Sequence, residues 1–110
     1  MKILVIWRLL TVGGVNAGWR NRAIHFKKHG IETEFLYMKD LGGLHIMEDV
    51  ANVYLTVDPD AIKKIIQENQ YDAIIVVDTA PAYRWIKDAG YSGPVLVEAR
   101  TPELKKLSRH

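Results

Sequence analysis

The chain has 110 residues, 48% apolar and 25% charged, with a formal net charge of +2 and no cysteine. That length allows a single domain, residues 1–110, whose core folds without staples, and the composition excludes a disordered chain. The missing thiols exclude disulfides, thiolate metal centres and cysteine nucleophiles, and they fit a cytoplasmic location. No nucleic-acid partner is expected, because the basic residues are dispersed and are not interleaved with aromatic ones.

In chain order, Ile3–Trp7 is a continuous apolar run and reads as a strand buried on both faces. Arg8 interrupts it. The run is too short for a signal peptide or a bilayer span, and no other run comes closer, so no transmembrane segment is expected. A loop from Arg8 to Gly14 leads to a helix over residues 15–29. There Val15, Trp19, Ala23 and Phe26 form an apolar stripe, Arg20, Lys27 and Lys28 belong to other faces, and Gly30 is the stop. His25 and His29 stand at i and i+4 of this helix, a spacing at which two imidazoles can share a metal. No Glu follows His25 to make an H-E-x-x-H pattern, no third ligand is evident, and a histidine near a helix C-terminus has a plain electrostatic reason, so no metal is expected.

Residues 31–37 and 52–57 alternate polar with apolar and read as half-buried strands nearer a sheet edge. Between them Met38–Ala51, with Gly42-Gly43, reads as a mobile loop or a short helix. Asp58-Pro59-Asp60 is a helix start with a carboxylate cap and proline at the first position, and Ile62, Ile65 and Ile66 form the buried face. Ala73–Val77 is another fully buried strand. A helix over residues 80–89 follows, with Ala82, Trp85, Ile86 and Ala89 facing in and Gly90 ending it. After a turn at Tyr91–Pro94, Val95–Val97 completes the set as a third buried strand. Thr101-Pro102-Glu103 is a further helix start with only Leu104 and Leu107 behind it, which suggests a truncated longer protein.

Strands alternating with helices predict an α/β, Rossmann-like three-layer sandwich with a five-stranded, mostly parallel sheet in the order 3-2-1-4-5. In such a sheet ligands bind beyond the carboxyl ends of the strands where the order reverses. Three loops converge there, and their residues have two readings each. Gly13 and Gly14 suit a phosphate at a helix N-terminus or a plain turn. Asp78 accepts sugar or ribose hydroxyls or caps a helix, and Thr79 reads more readily as a cap. Glu98 and Arg100 point to one face, as a local ion pair or with Arg100 on an anionic ligand. Arg8 has the same two readings. Gly13, Gly14 and Gly18 do not meet the G-x-G-x-x-G spacing, and the phosphate-loop lysine is missing, which argues against a classical NAD enzyme or P-loop NTPase. Trp19 and Trp85 read as core, and neither a Ser-His-Asp arrangement nor a G-x-S-x-G elbow is present.

These segments resemble the opening of family-4 glycosyltransferases of the GT-B fold. The shared features are the first strand, the glycine pair, a helix ending in Lys28-His29-Gly30-Ile31, the strand Tyr71–Ile75, and Gly93–Arg100 with its acid-x-arginine end. The resemblance spans most of the chain except Met38–Ala51. It implies an acceptor-side N-terminal half that meets a C-terminal donor-binding domain missing from this chain, with a nucleotide-sugar donor and an acceptor as partners and no further cofactor. By position, Gly13 and Gly14 would lie near the donor diphosphate, and Arg8, Asp78, Thr79, Glu98 and Arg100 would border the acceptor side of the cleft. The family's histidine after the central strand is replaced here by Asp78 or its neighbours. Without the donor domain, the 110 residues are expected to transfer no sugar. The alternatives are a stand-alone, flavodoxin-like ligand-binding or regulatory module, and a fragment of another sugar-nucleotide enzyme such as an epimerase of GT-B shape.

Overall fold

A computed structural model describes residues 1–10 and 14–98, apart from the side chains of Val15 and Ile46. The elements run β1 (Lys2–Leu10), α1 (Gly14–Lys28), β2 (Glu32–Asp40), α2 (Leu44–Met47), β3 (Asn52–Leu55), α3 (Pro59–Glu68), β4 (Ala73–Val77), α4 (Ala82–Asp88) and β5 (Val95–Glu98). The sheet order is β3-β2-β1-β4-β5, and all four pairings are parallel. This is the Rossmann-like arrangement that the alternation of strands and helices predicts.

Two apolar layers close on the sheet. On one face Leu4, Ile6, Leu36, Ile74 and Val76 pack with Ile62 and Ile66 of α3 and Ala82 and Ile86 of α4. On the other, Val5, Phe35, Tyr37 and Val77 pack with Trp19 and Ala23 of α1 and Met47 of α2. The helices thus change face where the strand order reverses, between β1 and β4. Right-handed crossovers dictate that change, because the chain steps one way from β1 to β3 and the other way from β4 to β5.

Helix ends follow from local chemistry. Asp58 Oδ1 accepts from Asp60 N at 3.1 Å, and Pro59 follows at the first position of α3. Gly30 (φ 76°) and Gly90 (φ 74°) take the left-handed conformation that ends α1 and α4, a conformation that costs little only without a Cβ. Trp19 is buried as expected, while Trp85 is only partly buried.

Several expectations are corrected. Arg8 does not end the first strand: β1 continues to Leu10, paired with β2 through Leu9↔Lys39 and Leu10↔Asp40. Residues 33–37 are not half-buried, because β2 lies between β1 and β3 with helices over both faces, and even Thr33 and Glu34 are buried. Met38–Ala51 is not a loop throughout and holds the short helix that is its other reading. Its start extends β2 to Asp40, whose Oδ1 accepts from Gly42 N at 2.8 Å and Gly43 N at 3.1 Å, and the one-turn α2 follows. Val95–Val97 is not buried on both faces: β5 is an edge strand among the described residues, with Leu96 55% and Val97 65% exposed. The alternating segment at 52–57 does lie at an edge, but β3 stops at Leu55. The helix start at Thr101-Pro102-Glu103 lies outside the described residues.

Candidate functional site

Where β1 meets β4, the two strands end at different heights. Their pairing stops at Trp7↔Val77, whereas β1 runs on beside β2 to Leu10↔Asp40. Beyond Val77 the chain turns sharply at Asp78, whose φ of 44° makes it the non-glycine residue with positive φ among those described. Aspartate tolerates this left-handed conformation better than most residues. Asp78 N still donates to Glu98 O at 3.2 Å, so the turn stays attached to β5 as it leaves β1. The result is a step between the ends of β1 and β4 at the carboxyl rim, with α1 beginning on one side of the sheet and α4 on the other.

Arg8, Gly14, Asp78, Thr79 and Glu98 all lie at this rim. Gly14 is the first residue of α1, and no acidic side chain occupies the first turn of that helix. Arg8 is exposed on the projecting end of β1. Gly13 and Arg100 lie outside the described residues.

Thr79 is committed differently from expectation, and Glu98 has a partner on α1. Thr79 does not cap α4. Its Oγ1 donates to Val77 O at 2.7 Å, and α4 starts only at Ala82, after a turn closed by Ala82 N to Thr79 O at 3.1 Å. Thr79 therefore holds the turn against the end of β4. Glu98 faces α1, where Arg22 Nη1 donates to Oε1 at 3.0 Å and Oε2 at 3.3 Å. The same guanidinium lies over the Trp19 ring, 4.5 Å from its centroid. The planar fork suits both contacts at once.

Beneath the rim a polar pair crosses the core. Tyr37 OH donates to Asn16 Oδ1 at 2.8 Å, with Tyr37 1% and Asn16 0% exposed. Burial pushes the Tyr37 phenol well above its ordinary pKa. Tyr37 stacks on Phe35, with centroids 6.0 Å apart, and Trp7 leans on it at 6.4 Å. The first turn of α1 is thereby pinned to β2.

The opposite rim holds a second polar cluster. Glu34, 4% exposed, accepts from Tyr71 OH at 2.6 Å and Tyr54 OH at 3.4 Å through Oε1, and from Asn52 Nδ2 at 3.1 Å through Oε2. Lys2 Nζ lies 3.6 Å from that carboxylate and donates to Asn69 Oδ1 at 2.8 Å. Burial first, and Glu34 second, raises the Tyr71 pKa. The donors saturate this carboxylate, and the cluster ties together the starts of β1, β2 and β3 and the approach to β4, which makes it a structural anchor. A hollow of about 490 Å³ at the same rim, between the end of α1 and the start of β3, is bordered by Lys27, Thr33, Asp49 and Asn52. It is remote from the step between β1 and β4. Parallel sheets bind ligands at the carboxyl rim, where helix N-termini point, so the step is the stronger candidate.

Strand order, parallel pairing and the change of helix face at β1/β4 place the chain among Rossmann-like α/β sandwiches. No model of a known protein family matches it, nor does any curated protein or solved structure.

Proposed function

We propose that the chain is the acceptor-side, N-terminal half of a nucleotide-sugar-dependent glycosyltransferase. The observation that carries this reading is the step between the ends of β1 and β4, with α1 beginning beside it. The order of motifs shared with family-4 glycosyltransferases adds the substrate class. In this account the N-terminal turn of α1, with Gly13 and Gly14, faces the donor diphosphate and stabilises the charge that develops on it as the sugar departs. Asp78, held in a left-handed turn at the step, accepts hydrogen bonds from acceptor hydroxyls. Arg22 keeps the Glu98 carboxylate turned toward α1, and Arg8 supplies positive charge at the rim.

The donor-binding half is a partner in this account, and the 110 residues alone transfer no sugar. Sugar release or transfer by the isolated chain would contradict that.

A second reading, a stand-alone flavodoxin-like binding module, has one observation in its favour: helices cover both faces of the central strands. Equilibrium dialysis separates the two. The flavodoxin-like reading predicts retention of flavin mononucleotide, and the glycosyltransferase reading predicts none. Retention of the flavin would reverse the assignment.

A further inference from the structure

The candidate site leaves two imidazoles on the exposed side of α1 unused. His25 lies within the helix and His29 in the turn that ends it, where His29 N donates to Phe26 O at 2.9 Å. Both side chains are exposed, and their ring centroids stand 4.7 Å apart with the planes inclined by 58°. We propose that His25 and His29 form a two-pronged, solvent-facing site for a borderline divalent transition-metal ion such as copper(II), nickel(II) or zinc(II).

The ligand chemistry selects the ion. Neutral imidazole nitrogens suit copper, nickel and zinc, while calcium and magnesium require oxygen ligands that this pair lacks. Metal–nitrogen bonds are about 2.0–2.1 Å long, a span that two rings with centroids 4.7 Å apart can share through one nitrogen each. The pair also sits at the C-terminal end of α1, where the helix dipole favours positive charge. Lys27 and Lys28 on the same turn oppose a cation, which weakens the site and keeps the ion exchangeable. Among the described residues no third His, Asp or Glu joins the pair. Water therefore fills the remaining coordination positions, unlike in a closed structural zinc centre. The spacing of the histidines alone gave no reason to expect a metal, for want of a third ligand. The separation of the rings supplies the reason, because a chelate needs only two.

The test is a titration of the isotope-labelled chain with zinc(II) and with paramagnetic copper(II) at neutral pH, read by amide spectra and calorimetry. The expected result is saturable binding of one ion, tighter for copper than for zinc, with shifts and broadening centred on residues 25 and 29. His25→Ala and His29→Ala each remove one prong and weaken binding roughly tenfold or more. Because both rings are exposed, the metal-free melting temperature stays that of the parent chain, which separates loss of a ligand from loss of fold. The proposal is overturned by absence of binding, by unchanged affinity in either single variant, or by broadening centred on His45 or the N-terminal amine.

Discussion

Tyr37 and Asn16, 21 residues apart in sequence, meet through a buried hydrogen bond of 2.8 Å that fastens the first turn of α1 to the middle of the sheet. Removing the phenol oxygen leaves Asn16 Oδ1 without that donor in a site closed to water. Tyr37→Phe is therefore expected to destabilise the fold by about 0.5–1.5 kcal/mol, the net worth of a lost buried hydrogen bond. Urea unfolding measures it directly. A change below a few tenths of a kcal/mol would show that water or a neighbour takes over the bond.

Alkaline pH should unfold the protein through two buried phenols. Tyr37 and Tyr71 both have pKa values raised in the folded state. For a group whose folded pKa is raised, the stabilisation is intact below the unfolded pKa, about 10 for tyrosine, and is lost as pH rises from there toward the folded value. Above about pH 10 each of the two can lower stability by up to about 1.4 kcal/mol per pH unit. Unfolding midpoints compared at increasing pH should fall over that range. Replacing Tyr37 by Phe should reduce the steepness of the fall, and an unchanged slope would remove Tyr37 from the account.

Glu34 should behave as a buried anchor. Glu34→Ala leaves the buried Tyr71 phenol and the partly buried Tyr54 phenol without this acceptor, while Lys2 keeps Asn69, and stranding a buried donor costs about 1–3 kcal/mol. Thermal melting is the measurement, and a loss under about 1 kcal/mol would mean that Glu34 is an ordinary surface carboxylate.

The two apolar runs at β4 and β5 look alike in sequence and should differ sharply on truncation. Ile74 is fully buried, so Ile74→Ala is expected to cost about 2–5 kcal/mol. Leu96 is 55% exposed, so Leu96→Ala should stay within about 1 kcal/mol. Equal costs would contradict the placement of β5 at an open edge.

Much of the architecture was readable from periodicity and punctuation. The β-branched runs, the Asp58-Pro59 start and the stops at Gly30 and Gly90 act locally, and they suffice to define the alternation of strands and helices and hence the parallel sheet. What escaped depends on tertiary neighbours. Glu34 looked outward-facing because alternation reports polarity, and its burial requires Tyr71, Tyr54, Asn52 and Lys2 to converge from three other parts of the chain. A hint was available in the sheet order itself, which makes β2 an interior strand. Val95–Val97 looked buried because an apolar run says nothing about whether a neighbour covers it. At the site, the rim positions of Gly14, Asp78 and Glu98 follow from strand order. The Arg22–Glu98 pair does not, because it depends on how α1 crosses the sheet, and Thr79 turned its hydroxyl back to Val77 because α4 begins later than its sequence signal.

The central claim is that the step between β1 and β4 receives a diphosphate. Amide spectra of the isotope-labelled chain during titration with uridine diphosphate test it most directly. The account predicts saturable shifts concentrated at residues 14–16, 78 and 98, with the start of β2 and β3 unmoved. Shifts centred instead on Thr33, Asp49 and Asn52, or none at millimolar ligand, would contradict it.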